Sequence, residues 1–373
     1  MKRLVLGVSG AVDSMAVERA IAELRSARPV LVEGSDGARA IVIGVEDLDE
    51  RLVAGLDKIA DGQARLVLPA ARLRRLGLDR QGPGAIALPE IDLARIEALA
   101  LRLDGRLDAP VSLAGPMDED ALELARLSLV LPAVVVVPVA ADLEGGSSLL
   151  VVRSTAIRSY DAARRRDLRL VSRAPVPLDG APTSEFAVFR GGEGMRDQVA
   201  VIVGRPDLSQ PVAVRIHSAC LTGDLFGSLK CDCGDQLRGT VRAMAQEEGG
   251  ILLYLDQEGR GNGLANKIRA YKLQSQGYDT YDADEVLGFG LDQRRFEFAG
   301  EMLKQLGVTA VRVMTNNPEK IAALQRAGLE VVSDRRVLGR PTAENVRYLA
   351  SKRDRAGHYI ELDHLAVLAP NQD

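Results

Sequence analysis

Apolar and polar positions follow two different periods in the second half of the chain. From Asp235 to Glu248, Leu237, Val241, Met244 and Ala245 recur at helical spacing, and Gly249-Gly250 stops the pattern, which predicts an amphipathic helix. ILLYL (251–255) is a short apolar run suited to a buried strand. It breaks into the glycine-rich QEGRGNG, after which Leu264 to Gln276 reads as a helix with Leu264, Ile268 and Tyr271 on one face and Gly277 as its stop. Phe296 to Leu306 reads as another helix closed by Gly307, VTAVRVM (308–314) as a strand, and TNNPEK as a helix start. In TNNPEK, Pro318 suits the first turn and an Asn the cap. That helix ends at Gly328 and LEVVS (329–333) follows as a strand. Alternating strand and helix predicts an α/β fold, mixed α+β over the whole chain.

The first half is rich in Ala, Leu, Val and Arg, and DAARRRDLRLVSRAPVPLDG (161–180) reads as a helix and linker between halves. A length of 373 residues fits two domains, placed here at 1–165 and 166–373.

Composition narrows the class. The net charge of −4 and pI of about 5.7 argue against a nucleic-acid-binding surface over the whole protein. No apolar stretch reaches the length of about 18 residues that a membrane span needs, and MKRLVLGVSGAVDS has too short an apolar run for a signal peptide. All three cysteines, Cys220, Cys231 and Cys233, lie within CLTGDLFGSLKCDCG. An odd number cannot all pair within one chain, so the reading is a soluble protein of a reducing, cytoplasmic compartment whose clustered thiols serve metal or catalysis.

The spacing supplies two thiolates from a tight C-x-C and a third across a loop. Catalytic zinc often has three protein ligands and an open position, whereas structural zinc usually has four. His217 is the one nearby histidine of three, the others being His358 and His364. An open three-cysteine site leads; a closed Cys3His site using His217 and three ordinary buried thiols are the alternatives. Downstream, QEGRGNG with Arg260 and Lys267, and TNNPEK with Asn316, Asn317 and Lys320, each place a strand, a loop and a helix start where backbone N–H groups can hold a phosphate. Either alone is more often an ordinary turn. Together, after a metal candidate, they point to a phosphorylated substrate.

RIHSACLTGDLFGSLKCDCGDQL, YLDQEGRGNGLANKIRAYKLQSQGYDT, LGFGLDQRRF and TNNPEK, in this order and spacing, resemble GTP cyclohydrolase II of riboflavin synthesis over about Val171 to His358. The resemblance implies one catalytic zinc on Cys220, Cys231 and Cys233. It implies a nucleotide site lined by Arg215, Ile216, His217, Ser218, Ala219, Gln236, Glu258, Gly259, Arg260, Thr280, Thr315 and Lys320. It places Tyr271 over the reacting base, Asp292 as proton acceptor and Arg294 as the proposed nucleophile toward the α-phosphate, with Mg2+ on the triphosphate of GTP. A cytoplasmic homodimer with no nucleic-acid or membrane partner completes the expectation. A guanidinium is a poor nucleophile, so Arg294 could equally clamp the phosphate charge. Taken without that context, Asp292 and Arg294 would read as a local surface ion pair, and Tyr271 as a core residue.

Three positions depart from the family pattern: Ala219 where Glu is usual in HSECLTG, Asp256 where Arg is common before QEG, and Asn262 for an apolar residue in GRGIG. They keep two rivals in play, a paralogue with altered nucleotide or product and a non-catalytic nucleotide-binding regulator.

AIAELRSARPVLV (20–32) and LVLPAARLRRLGL (66–78) resemble dihydroxybutanone-phosphate synthase, which is often fused ahead of this cyclohydrolase. That enzyme holds magnesium with a dense acidic run, but EGSDGARAIVIGVED offers only Glu33 and Asp36 before apolar residues resume. The first domain therefore reads as degenerate, structural or dimerising. LVLGVSGAVDSMA imitates the strand, Ser-Gly loop and helix of an SGG-x-DS ATP loop, but Ala11 replaces the glycine that lets backbone approach phosphate, so it reads as an ordinary strand-to-helix turn.

Overall fold

A computed structural model of the chain describes residues 9–140, 148–192, 195–290 and 292–340, and scattered positions from 342 to 360. His358 and His364 lie outside the described residues. The chain divides into two units, one comprising Met1–Arg164 with Ile268–Ala270 and Asp282–Gly290, the other Arg165–Lys267, Tyr271–Tyr281 and Leu291–Asp373. Among the described residues no helix is long and apolar enough to cross a membrane.

The first unit is built on strands β1 (Val30–Glu33), β2 (Arg39–Gly44), β3 (Ala64–Leu68), β4 (Gly84–Leu88), β5 (Val111–Leu113), β6 (Val134–Val139) and β7 (Leu150–Arg153), in the order β5-β4-β3-β6-β2-β1-β7. Only β1 and β7 pair in parallel. The run Val134 to Val137 shows why the strands lack polar alternation. Val134 and Val136 face helices Ser9–Arg25, Pro116–Leu127 and Ser154–Asp167 through Val17, Ile21, Leu124 and Ile157, while Val135 and Val137 join Leu56, Leu73, Ile96 and Leu99 on the other face. A sheet covered on both faces demands apolar residues at every position. Ser9 and Gly10, read as a loop from sequence, are already helical, and the preceding segment lies outside the described residues.

The second unit carries β8 (Arg169–Pro175), β9 (Ser184–Arg190), β10 (Gln198–Val203), β11 (Val212–Ser218), β12 (Gly250–Leu255), β13 (Ala310–Met314) and β14 (Glu330–Arg335), in the order β14-β13-β11-β12-β10-β9-β8. The segment read as a helix and linker begins in helix Ser154–Asp167, as expected, but in place of a linker it runs straight into β8. Leu168 at the junction is buried, and Gln305 fixes the chain there, accepting from Leu170 N–H at 3.1 Å and donating to Leu168 C=O at 2.7 Å. β8 is an edge strand with all seven residues exposed; Arg173 pairs with Glu185 and Pro175 ends it, features that discourage edge-to-edge pairing.

β14, β13, β11 and β12 are mutually parallel, so β11, β12 and β13 all end on the same side. Their carboxyl ends run into HSAC, DQEGRG and TNNPEK respectively. Helix Cys233–Gln246 leads from β11 to β12 and packs Val241 and Met244 on one face of the sheet. Helices Glu297–Gln305 and Pro318–Arg326 cover the other face through Phe298, Met302, Leu303 and Leu324. Consecutive connections thus leave β11 and β12 toward opposite sides, the arrangement that opens a crevice at strand carboxyl ends in doubly wound sheets. Asn317 caps helix Pro318–Arg326, its side chain accepting from Glu319 N–H at 2.9 Å, with Pro318 in the first turn as the sequence predicts.

Gly300 lets those two helices touch. A Cβ there would lie 2.2 Å from Cβ of Ala327, far inside van der Waals contact. Gly300→Ala is expected to destabilise the second unit by about 1–3 kcal/mol through overpacking, read as a lower denaturant midpoint. An unchanged midpoint would show that the helices separate freely.

Candidate functional site

Cys220 ends the β11 loop and begins the one-turn helix Leu221–Asp224, Cys231 follows the exposed Leu225–Leu229 loop, and Cys233 opens helix Cys233–Gln246. The three Sγ atoms lie within 4.8 Å of one another, Cys220 and Cys231 at 3.6 Å. A tetrahedral zinc with Zn–S of about 2.3 Å places its sulfurs ~3.8 Å apart, so the trio fits such an ion. Gly223 is what leaves room. Its Cβ would sit 2.6 Å from Cys231 Sγ and 3.0 Å from Cys220 Sγ, inside the space between the sulfurs. Hydrogen bonds from Cys231 and Cys233, and then the Lys267 ammonium, hold the Cys220 thiol far below its ordinary pKa despite burial. The bond to Cys220 pushes Cys231 up to about 11.

Asp224 organises the base of this loop. Its carboxylate accepts from Cys220 N–H at 2.9 Å, from Tyr254 Oη at 3.0 Å and from His217 Nε2 at 3.1 Å. His217 is 3 % exposed and stacks on Tyr254 with ring centroids 5.6 Å apart. Burial lowers its pKa, so the ring is neutral at pH 7. With Nε2 committed to Asp224, His217 stands outside the cysteine cluster, and among the described residues no other His, Asp or Glu joins it. The closed Cys3His alternative loses its fourth ligand. Neither Asp224 nor Tyr254 stood out in the sequence. An Asp one turn after Cys220 was the available signal for the first.

Tyr271 is not a core residue. Leu264 and Ile268, its expected partners on an apolar face, are 40 % and 49 % exposed, while Asn266 and Ala270 are the buried positions of helix Leu264–Ser275. The Tyr271 hydroxyl lies 3.5 Å from Thr222 Oγ1, and the ammonium groups of Lys230 and Lys267 lie 5.0 and 5.7 Å from its ring centroid. Burial raises its pKa, so the phenol keeps its proton.

The loop after β12 is wound tightly. Gly259 and Arg260 both adopt left-handed conformations, at φ 60° and 59°, an uncommon state for arginine. The twist aims Arg260 C=O at Gln293 N–H, 3.1 Å away. Gly261 packs so closely that a Cβ would meet the Gln293 carbonyl carbon at 3.0 Å. The QEGRG loop therefore holds the Asp292–Arg294 turn by backbone contact. Arg294 forms a bidentate pair with Asp292 (Nε to Oδ1 2.9 Å, Nη2 to Oδ2 2.5 Å) and reaches Ser218 Oγ at 3.4 Å. Burial opposes ionisation of Asp292, but Arg294, helped by Arg260, keeps its pKa below the ordinary value. The sequence's surface-pair reading is thus half right: the pair exists, but it stands beside the β11 loop rather than on open surface.

The remaining expected residues fall into two groups. Arg260 faces Tyr281 at 4.4 Å and donates to Thr280 C=O at 3.3 Å. Arg215, Lys320 and Thr315 are buried beneath the loops. Arg215 donates to Met314 C=O at 3.0 Å and to Gln236 Oε1 at 2.5 Å, and burial lowers its pKa to about 10. Lys320 donates to Ile216 C=O at 2.7 Å, and Thr315 Oγ1 accepts from Asn317 N–H at 3.0 Å. Of the three departures, Ala219 N–H bonds to Leu255 C=O at 2.8 Å, and Asp256 is anchored by backbone bonds to Gln198 and Arg196. Asn262 is 5 % exposed with its side-chain oxygen unpartnered.

The family model for GTP cyclohydrolase II matches residues 169–336. The GTP cyclohydrolase-2 of Xylella fastidiosa (strain Temecula1) is 42 % identical over 360 residues, covering 96 % of this chain and 90 % of its own. That of Azospirillum brasilense is 42 % identical over 362 residues, covering 92 % and 93 %. A shorter relative, the GTP cyclohydrolase-2 of Azotobacter vinelandii, is 50 % identical over 165 residues, 44 % of this chain and 79 % of its own. A two-domain 3,4-dihydroxy-2-butanone 4-phosphate synthase from A. baumannii aligns over 87 % of this chain and 99 % of its own at 15 % identity and a TM-score of 0.34, a likeness too slight to carry weight. With relatives matching almost end to end at this identity, the chain belongs to the GTP cyclohydrolase II family.

Proposed function

We propose that this chain is a GTP cyclohydrolase II that hydrolytically opens the guanine imidazole ring of GTP, releasing formate and pyrophosphate. The product is 2,5-diamino-6-ribosylamino-pyrimidinone 5'-phosphate, and the reaction is the first step of riboflavin synthesis. The observation that carries this reading is the convergence of three cysteine sulfurs with Tyr271, beside a loop that also holds the Asp292–Arg294 pair.

Zinc held by Cys220, Cys231 and Cys233 would supply Lewis acidity for attack of water at guanine C8, and Mg2+ would screen the triphosphate. The chain's own residues do the rest. Tyr271, protonated at neutral pH, donates or relays a proton as the ring C–N bond breaks. Asp292, ionised, accepts a proton during hydrolysis. Arg294 acts at the α-phosphate as a clamp: a guanidinium paired with a carboxylate keeps its charge and has no electron pair to offer.

The first unit is proposed to be a degenerate synthase-like domain with a structural role. Its two candidate carboxylates are engaged locally, Glu33 with Arg39 at 2.8 Å and Asp36 with Ala38 N–H at 3.1 Å. Three relatives that match this chain over more than 90 % of its length carry the name GTP cyclohydrolase-2 alone. The second reading, a paralogue with a different nucleotide or product, is favoured only by Asn262, whose buried unpartnered oxygen lies in the loop that the nucleotide reading uses.

Incubation of the purified zinc-loaded protein with GTP and Mg2+ is expected to yield formate, pyrophosphate and the pyrimidinone by mass spectrometry; a different nucleotide preference would establish the paralogue instead. Cys231→Ser should lose bound zinc and ring opening together, by more than the ~10–100-fold typical of residues that only orient a ligand, and a mutant that retained stoichiometric zinc would remove Cys231 from the ligand set. Arg294→Ala should slow pyrophosphate release by about 10²–10³-fold, with Arg294→Lys retaining part of it. Complete loss in the lysine variant, with a transient nucleotidyl adduct in the wild type, would make Arg294 the nucleophile. The full chain given ribulose 5-phosphate and Mg2+ should form no dihydroxybutanone phosphate; turnover there would restore the first unit as an enzyme.

A further inference from the structure

Lys267 reaches the cysteine trio directly. Its Nζ donates to Cys220 Sγ at 3.1 Å and to Glu258 Oε1 at 2.7 Å, and the two side chains are only 10 % and 11 % exposed. The second oxygen of Glu258 turns the other way and accepts from Leu221 N–H at 2.5 Å, while Oε1 also accepts from Gly259 N–H at 3.0 Å. Gly259 lets the turn after β12 approach helix Leu264–Ser275, since a Cβ there would lie 3.0 Å from Lys267 Cβ. A chain of hydrogen bonds thus runs from the sulfur of Cys220 through Lys267 and Glu258 to the backbone of Leu221, the next residue. The circuit closes on the metal loop itself.

We infer that Lys267 and Glu258 are positioning residues for the metal loop: Lys267 orients the Cys220 sulfur and offsets its charge, and Glu258 holds Lys267 and the Leu221 backbone in place. Both Glu258 oxygens already accept hydrogen bonds inside the protein, three in all, so its carboxylate is assigned here to the metal loop, a role the family pattern does not give it. The inference rests on the proposal that the three cysteines hold zinc. Cys220 is 6 % exposed, so its thiolate has little water to fall back on if the ammonium is removed, and a buried charge without its partner is costly. Residues that orient a metal ligand in this way are typically worth about 10–100-fold in metal affinity.

The test uses the full-length protein and reads zinc affinity by competition with a colorimetric chelator, without GTP. Lys267→Met is expected to weaken zinc binding by about 10–100-fold, with Lys267→Arg restoring much of it. In the Co2+-substituted protein, loss of the ammonium should shift the sulfur-to-cobalt charge-transfer band, which a change in folding stability alone does not do. Glu258→Gln, nearly isosteric and expected to fold, should also weaken zinc, while at saturating zinc the KM for GTP stays near wild type and kcat falls. Wild-type zinc affinity and an unshifted band in both Lys267→Met and Glu258→Gln would overturn the inference. So would a raised KM with unchanged zinc affinity in Glu258→Gln, which would make Glu258 a nucleotide ligand. A wild-type chain that binds zinc tightly but leaves GTP intact would instead overturn the cyclohydrolase reading and leave this one standing.

Discussion

Three sulfurs held within 4.8 Å of one another repel strongly once more than one is ionised. Two like charges about 4 Å apart near a protein surface cost roughly 4 kcal/mol. The architecture around Cys220 answers that constraint in three ways. One thiolate forms first, stabilised by hydrogen bonds from the other two thiols. The Lys267 ammonium lies against its sulfur. Backbone N–H groups of the same loop are drawn to the Asp224 and Glu258 carboxylates, which fix the loop without placing a side chain among the sulfurs. Gly223 belongs to the same solution, since any Cβ there would occupy the space the cysteines enclose.

The sheet makes this economical. β11 and β12 are parallel neighbours, so the loop bearing Cys220 and the loop bearing Glu258 leave the sheet side by side, with Ser218 registered against Leu255. β13 delivers TNNPEK on the other flank of β11, and Lys320 reaches back to the Ile216 carbonyl of that strand. Residues distant in sequence thus meet because strand order places β11 between β13 and β12.

Much of this could be read from the chain. Periodicity located the helices and strands that flank the site to within a few residues, because amphipathic spacing and glycine stops are local signals. The cysteines were legible because an odd, tight cluster in a chain otherwise without them has few uses. What the sequence did not disclose depends on direction rather than spacing. Helix Leu264–Ser275 leaves Leu264 and Ile268 exposed and buries Asn266, which donates to Asn262 C=O, because a helical period says that a face exists but not which side is buried. Asp224 and Tyr254 were hidden for a similar reason: their roles exist only where a loop folds back on a strand. In segment 161–180 the helical start was legible, but its charges hid the edge strand that follows, which pairs with β9 while leaving all its side chains exposed.

The left-handed turn at Gly259 and Arg260 has a mechanical consequence. By aiming the Arg260 carbonyl at Gln293, it makes one backbone clasp serve two places, the cysteine cluster through Glu258 and the Asp292–Arg294 turn through Gln293. Slack introduced at either end is transmitted to the other through a few atoms of main chain. The geometry around Cys220 and that of the Asp292–Arg294 pair are thereby set against one common stretch of main chain.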